Sequence, residues 1–313
     1  MEKNSKILIT GGAGMVGSAV IKKLRDDGFQ NLIHPLVNEL NLINQSQVNH
    51  FFEKEKIEYV IHLAAKVGGI KSNISYPVEY LSENLSMSLN VITASKHFGI
   101  KKLLNLGSSC IYPKGCIQPM KEEYLMNGKL EPTNEGYALA KISALKLCEF
   151  YNKEYKTNFI NLMPCNIYGP NDKFNDVESH VIPALISKFN YAILNNKQEI
   201  SIWGSGAARR EFLYVDDLAD AIIFFIKNID SSNTDPFINI GSGSDISIHD
   251  LVNLIKDLMN YDGELIFDSS QPEGMLKKLL DVSRAEKLKW TAKTAMKEGL
   301  IKTIEGFHDW KKI

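Results

Sequence analysis

Apolar residues along this chain fall into two patterns: short unbroken runs, and longer stretches in which they recur three or four positions apart. Lys6-Ile7-Leu8-Ile9-Thr10 is a run that suits a strand buried on both faces. Val16, Ala19, Val20 and Leu24 then recur at helical spacing until Gly28. The alternation continues with a strand at Asn31–Pro35, a helix over Gln47–Lys56 and a strand at Tyr59–Leu63. Leu81, Leu85, Leu89 and Ile92 form the apolar stripe of a long helix that Gly99 ends. Strands at Lys102–Leu106 and Asn158–Met163 flank a further helix containing Tyr137. Strands alternating with helices predict an α/β fold, a Rossmann-like doubly wound parallel sheet with right-handed crossovers.

The second half is less regular. His180-Val181-Ile182-Pro183 opens a helix, Glu199–Trp203 reads as a strand, and Arg209 to Asp217 leads into a helix through Phe225. Phe237–Ile240 is a late strand, and Leu251, Leu254, Ile255 and Leu258 stripe a helix. This mixture predicts a nucleotide-binding domain over residues 1–170 and a smaller mixed α/β lobe over 171–313, with about 207–245 returning to the first domain. Lys114–Gly136 is too irregular for core structure and reads as an insertion over the site.

Composition narrows the function classes. The 313 residues are 44% hydrophobic and 23% charged with a net charge of −1, which gives no argument for nucleic acid. No dense Lys/Arg tract suggests a membrane surface, and no apolar run approaches the length of a membrane span. Met1–Lys6 is polar, unlike a signal peptide, so a cytoplasmic protein with reduced thiols is expected. Cys110, Cys116, Cys148 and Cys165 have no metal-ligand spacing, and no metal is expected.

The candidate chemistry lies where predicted strands end. Gly11-Gly12-Ala13-Gly14-Met15-Val16-Gly17 joins the first strand to the first helix, the context of a dinucleotide-binding turn. Leu63-Ala64-Ala65 closes the third strand with small residues that leave room for a cofactor. After the second strand, Pro35–Glu39 offers neither an acid nor a base in the obvious place, Glu39 lying too far along and His34 too early. His62 reads as a core or strand-end histidine. The fourth strand delivers Leu106, Gly107, Ser108 and Cys110 to the carboxyl end of the sheet, where ligands gather. Tyr137 and Lys141, four apart, share one helix face, and an ammonium beside a phenol favours the phenolate.

With the glycine loop, Ser108, Tyr137 and Lys141 in place, the chain resembles the extended short-chain dehydrogenase/reductase superfamily. Within it, a series of motifs resembles the GDP-L-fucose synthases. They are GGAGMVGSA, ELNL, LAAKVGGI, LGSSCIYP, LEPTNEGYALAK, SHVIPAL, WGSG, REFLYVDD and KKLLDVSR, in family order over nearly the whole chain. The resemblance implies epimerisation at C3 and C5 of GDP-4-keto-6-deoxy-D-mannose, then NADPH-dependent reduction of the C4 ketone to GDP-L-fucose. It assigns Cys110 as base and His180 as acid for epimerisation. Tyr137 becomes the proton donor for reduction, Ser108 a hydrogen-bonding partner of the same oxygen, and Lys141 the residue that holds the nicotinamide ribose and lowers the tyrosine pKa. It carries Asn41 of ELNL, Pro164, Asn166, Ile167 and His180 to the coenzyme. Ser108, Asn166, Val181, Lys188, Trp203 and Arg210 go to the substrate, Arg210 at the diphosphate. Arg209 is a solvated neighbour, and the other three cysteines are structural.

A homodimer is also implied, built on the helices around Leu81–Lys96 and Tyr137–Tyr155. Some bacterial relatives carry arginines near the coenzyme 2′-phosphate where this chain has Ala13 and Val37, so NADPH is expected and NADH is not excluded. The motifs leave open a GDP-4-keto-6-deoxy-heptose as substrate, in capsule or lipopolysaccharide biosynthesis, and with it whether epimerisation is retained. A regulator that keeps the fold without chemistry would have a degraded Ser/Tyr/Lys set, and all three are intact. Dehydratases of the superfamily pair an active-site threonine with nearby acids, which the GSSC loop does not resemble.

Overall fold

In the computed structural model, residues 1–174, 179–270 and 275–310 are described. The first half runs β1 (Ile7–Thr10), α1 (Met15–Asp26), β2 (Leu32–Ile33), α2 (Gln45–Glu55), β3 (Tyr59–His62), α3 (Ile70–Ser75), α4 (Pro77–His97), β4 (Lys102–Leu106), α5 (Glu135–Tyr155) and β5 (Phe159–Pro164). The second runs β6 (Asn166–Tyr168), α6 (Val181–Leu194), β7 (Glu199–Trp203), β8 (Arg209–Tyr214), α7 (Val215–Asn228), β9 (Ile238–Ile240), β10 (Asp245–Ser247), α8 (Ile248–Leu258), β11 (Glu264–Asp268), β12 (Lys277–Lys278), α9 (Ser283–Lys287) and α10 (Met296–Trp310).

The main sheet has the order β2-β1-β3-β4-β5-β9, and every pairing in it is parallel. The chain leaves β1 for β2 on one side and then crosses to β3 on the other. The carboxyl ends of β1 and β3 therefore flank the crevice in which doubly wound sheets bind nucleotides. Side chains alternate between the two faces. Ile7 and Ile9 pack with Val20 and Leu24 of α1 and with Leu218, Ile222 and Phe225 of α7. Leu8 faces the other way, toward Phe52 of α2, Ile92 of α4 and Cys148 of α5. Each such fully buried aliphatic side chain contributes roughly 1.5–3 kcal/mol.

A second core joins α6, α8 and α10 through Ile186, Phe189, Leu251, Ile255, Leu300 and Phe307. Short sheets border it. β8 pairs antiparallel with β10 and parallel with β12 and β6, while β7 pairs parallel with β11. β9 pairs with β5, so the chain rejoins the main sheet there.

Two elements are added to those expected and two expectations are corrected. The segment that leads into α7 is itself a strand, Arg209–Tyr214, and the helix begins at Val215. Burial is continuous from Glu211 to Tyr214, and the buried charge of Glu211 hides that run in the sequence. A last helix, α10, was not anticipated. On α4, Leu85 and Leu89 are 36% and 46% exposed, and the buried side instead carries Tyr80, Asn84, Ser88, Val91, Ile92 and Ser95. The buried polar residues are satisfied there. Asn84 bonds both the amide and the carbonyl of Lys66, and Ser95 donates to the Val91 carbonyl. Finally, Lys114–Gly136 is not only an outer insertion. Met120 and Glu122 are buried, and the Met120 backbone donates to the Leu279 carbonyl and accepts from the Asp281 amide.

Candidate active site

The glycine loop leaves β1 with Gly11 at φ +73°, a left-handed conformation that favours glycine. A Cβ on Gly11 would stand 2.9 Å from the Ala64 backbone, and one on Gly17 would stand 2.2 Å from the Gly11 carbonyl. Backbone therefore closes on backbone here, and α1 begins at Met15 with Gly14 as an N-cap that offers no side chain to its amides. Free amides at a helix N-terminus suit a diphosphate. This cradle, formed by Gly11, Gly12, Ala13, Gly14, Met15, Val16 and Gly17 beside Leu63 and Ala64, fits a dinucleotide pyrophosphate.

The neighbouring wall rests on a buried network. The Thr10 hydroxyl accepts from the amides of Leu63 and Ala64, both at 3.2 Å, and pairs with His62 Nδ1 at 2.8 Å. His62 Nε2 lies 3.3 Å from the Ser88 hydroxyl. Burial, followed by the charge of Lys141, pushes the His62 imidazole down to about 3. His62 is thus a neutral structural residue that fixes the end of β3 against β1.

At the carboxyl end of β4 the structure brings Ser108, Cys110, Tyr137 and Lys141 together. Lys141 is buried and its Nζ donates to the Leu106 carbonyl at 2.8 Å. It also lies 5.8 Å from the centre of the Tyr137 ring. Burial pulls the Lys141 ammonium down to about 8, partly offset by Cys110. Burial also pushes the Tyr137 phenol up from its ordinary value, with Cys110 adding to the rise and a hydrogen bond with Ser108 opposing it. Contrary to expectation Lys141 is not among the groups that move the phenol, and burial keeps it protonated and able to donate. The Ser108 hydroxyl also accepts from the Cys110 amide at 3.3 Å. Tyr80, buried on α4, meets Tyr137 edge-on at 6.5 Å between ring centres. Nothing in its own sequence neighbourhood pointed to that contact.

Five of the other predicted residues form a second group. Asn166, Ile167, His180, Val181 and Arg210 line a small cavity of about 60 Å³ where β6, β8 and the start of α6 meet. Asn166 directly follows Pro164 and Cys165 at the end of β5, and its amide donates to the Glu211 carbonyl at 3.0 Å. His180 is exposed and caps α6, and burial pushes the Asp172 carboxyl up from its ordinary value, opposed by the Lys173 amide and by His180. The Arg210 guanidinium donates to the Arg209 carbonyl, and Arg209 is not merely solvated, since it pairs with Asp245. Lys188, on α6, donates to the Ser201 carbonyl, and Trp203 is 54% exposed with Lys71 Nζ 4.7 Å from its ring centre. Asn41 holds the Ile43 amide at 3.0 Å, a turn-forming contact. Among the described residues no group of three or more potential metal ligands occurs, and no helix is long and apolar enough to cross a membrane.

A parallel sheet with a glycine cradle at its switch point, and a serine, a tyrosine and a lysine gathered at the next strand ends, define a nucleotide-dependent oxidoreductase or epimerase. Residues 7–241 match the NAD dependent epimerase/dehydratase family, and the chain belongs to that family. Within it, a putative GDP-L-fucose synthase from Arabidopsis thaliana is 46% identical over 98% of this chain and 93% of its own length. The GDP-L-fucose synthase of Escherichia coli is 43% identical over 96% of both chains. Among solved structures, a GDP-mannoheptose C4 reductase from Campylobacter jejuni with NADP bound superposes with a TM-score of 0.93 at 37% identity. That match covers 98% of this chain and 99% of the other.

Proposed function

We propose that this chain is a GDP-L-fucose synthase, an NADPH-dependent C4 reductase of GDP-4-keto-6-deoxy sugars that also inverts C3 and C5. The observation that carries it is the grouping of Ser108, Cys110, Tyr137 and Lys141 at the end of β4, in a chain so similar to GDP-L-fucose synthases. Protons at C3 and C5 are acidified by the adjacent ketone, because their loss gives an enolate. In this reading Cys110 removes such a proton and His180 returns one from the opposite face. The coenzyme, seated on the glycine cradle, supplies the hydride for C4. Tyr137 delivers its proton to the C4 oxygen, which Ser108 also bonds, and Lys141 holds the ribose side of the site. Leu106, Gly107, Pro164, Asn166 and Ile167 line the nicotinamide end, with Ala65 and Asn41 toward the adenosine half. Val181, Lys188, Trp203 and Arg210 serve the GDP-sugar, the Arg210 guanidinium being suited to paired phosphate oxygens.

Residues 1–170 then hold mainly the coenzyme and 171–313 mainly the sugar nucleotide. We further propose a cytoplasmic homodimer. Leu85 and Leu89 on α4 and Leu139 and Phe150 on α5 are apolar and exposed, which suits burial against a second copy.

A second reading has its own support, because the C. jejuni relative is a heptose reductase. In that case the chain reduces a GDP-4-keto-6-deoxy-heptose for capsule or lipopolysaccharide synthesis and has no epimerase activity. Incubation with NADPH and GDP-4-keto-6-deoxy-mannose in deuterated water, followed by NMR of the product, separates the two. Fucose carrying deuterium at C3 and C5 is expected. Reduction without exchange would remove Cys110 and His180 from the catalytic set, and no turnover of the hexose would favour the heptose.

A further inference from the structure

A cavity of about 450 Å³ opens between the glycine loop, the end of β2 and one face of α1. Ala13 and His34 contribute to its walls, and α1 contributes Lys22, Arg25 and Asp26. His34 is placed there by Gly12, since a Cβ on Gly12 would stand 2.6 Å from the His34 Cβ. The loop and the strand end are therefore in direct contact, and the cavity lies immediately beyond them.

In sheets of this kind the adenosine ribose sits past the end of the second strand, and the residues there choose between a 2′-hydroxyl and a 2′-phosphate. Glu39, the one acid near that strand end, has its carboxylate engaged by the Leu36 amide at 2.7 Å. The glycine loop and the segment just past β2 offer no cation there, with Ala13 in the loop and Leu36 and Val37 after the strand. Lys22 and Arg25 lie three apart on α1 and so point to the same side, both are exposed, and neither forms an ion pair among the described residues. A 2′-hydroxyl would give these two cations nothing to neutralise, whereas a phosphate monoester would.

We propose that Lys22 and Arg25 bind the 2′-phosphate of NADPH, supplying from α1 the positive charge that the loop and the strand end lack. Asp26, the carboxylate on the same wall, opposes them and sets an upper limit on the preference. The inference rests on the NADPH reading above. Isothermal titration of the full chain with NADP⁺, NAD⁺ and 2′,5′-ADP tests it without any sugar substrate. The Lys22→Ala/Arg25→Ala double variant is expected to lose about 10- to 100-fold in affinity for NADP⁺ and 2′,5′-ADP while NAD⁺ binding stays within about twofold. Asp26→Asn should tighten 2′,5′-ADP. An unchanged ratio of NADP⁺ to NAD⁺ affinity in the double variant would overturn the inference, as would an equal loss of both coenzymes. A wild-type chain with no preference for NADP⁺ would instead overturn the coenzyme reading beneath it.

Discussion

Lys141 Nζ donates to the Leu106 carbonyl at 2.8 Å, tying the active-site helix to the last residue of β4, two positions before Ser108. Enclosure brings the ammonium down to about 8 from 10.5. Its charge is therefore present below about pH 8 and is lost above it. Reduction should decline with unit slope on a log scale as pH rises through 8, and Lys141→Met should lower the rate by about 100-fold or more and abolish that decline. A rate that stays flat to pH 9.5 would mean the charge is not used. Stability supplies a second readout. Between about 8 and 10.5 the folded chain holds fewer protons than the unfolded one, so stability should rise with pH across that window.

Tyr137 keeps its ring against Tyr80 and hydrogen-bonds to Ser108. Removing only the hydroxyl, as in Tyr137→Phe, retains the edge-on packing while deleting the proposed proton donor. The variant should reduce the ketone roughly 10²- to 10⁴-fold more slowly but still exchange deuterium into the substrate. NMR of the recovered substrate checks the second half. Loss of exchange together with reduction would show that the phenol also serves the enolate.

The main sheet was legible because parallel strands buried on both faces are mostly apolar, as at Ile7-Leu8-Ile9 and Leu103-Leu104. The glycine cradle was legible because close backbone approach leaves glycine few substitutes. Sequence reasoning failed where tertiary partners satisfy polar groups. Asn84, Ser88 and Ser95 look like a solvent face of α4 and are buried, because Lys66, His62 and the Val91 carbonyl complete their hydrogen bonds. Met296, Leu300, Ile304 and Phe307 carry a helical stripe that could have revealed α10. Nothing local could have shown that Glu211 is buried or that Tyr80 meets Tyr137, since both depend on segments distant in sequence.

Cys110 and His180 fall in different groups, one at the end of β4 and the other at the cap of α6. In the proposed reading, removal of a proton on one face and its return on the other need two such separate groups. Cys110→Ala should abolish deuterium incorporation while the variant still reduces a ketone that has already been epimerised. His180→Ala, at an exposed position, should leave the melting temperature within about two degrees and slow exchange. If exchange persists at the wild-type rate in Cys110→Ala, the base lies elsewhere.

Glu211 lies beside Arg210 yet is only 1% exposed, and its carboxylate accepts from the amides of Gly243 at 2.8 Å and Leu280 at 2.9 Å. It thereby fastens β8 to the turn after β9 and to the chain following β12. Burial outweighs these bonds and pushes its pKa up to about 7 from 4.5. The unfolded chain therefore releases this proton before the folded chain does. Stability from this group is complete below about pH 4.5 and is lost as pH rises through 7, amounting to at most about 3 kcal/mol. Glu211→Gln mimics the protonated form and should remove that loss. Urea unfolding of both proteins at pH 5 and pH 7.5 measures it: the wild type should lose more stability between the two than the variant, by about 1–3 kcal/mol. Parallel pH dependences would mean that Glu211 is ionised in the folded chain well below pH 7, held by its backbone donors.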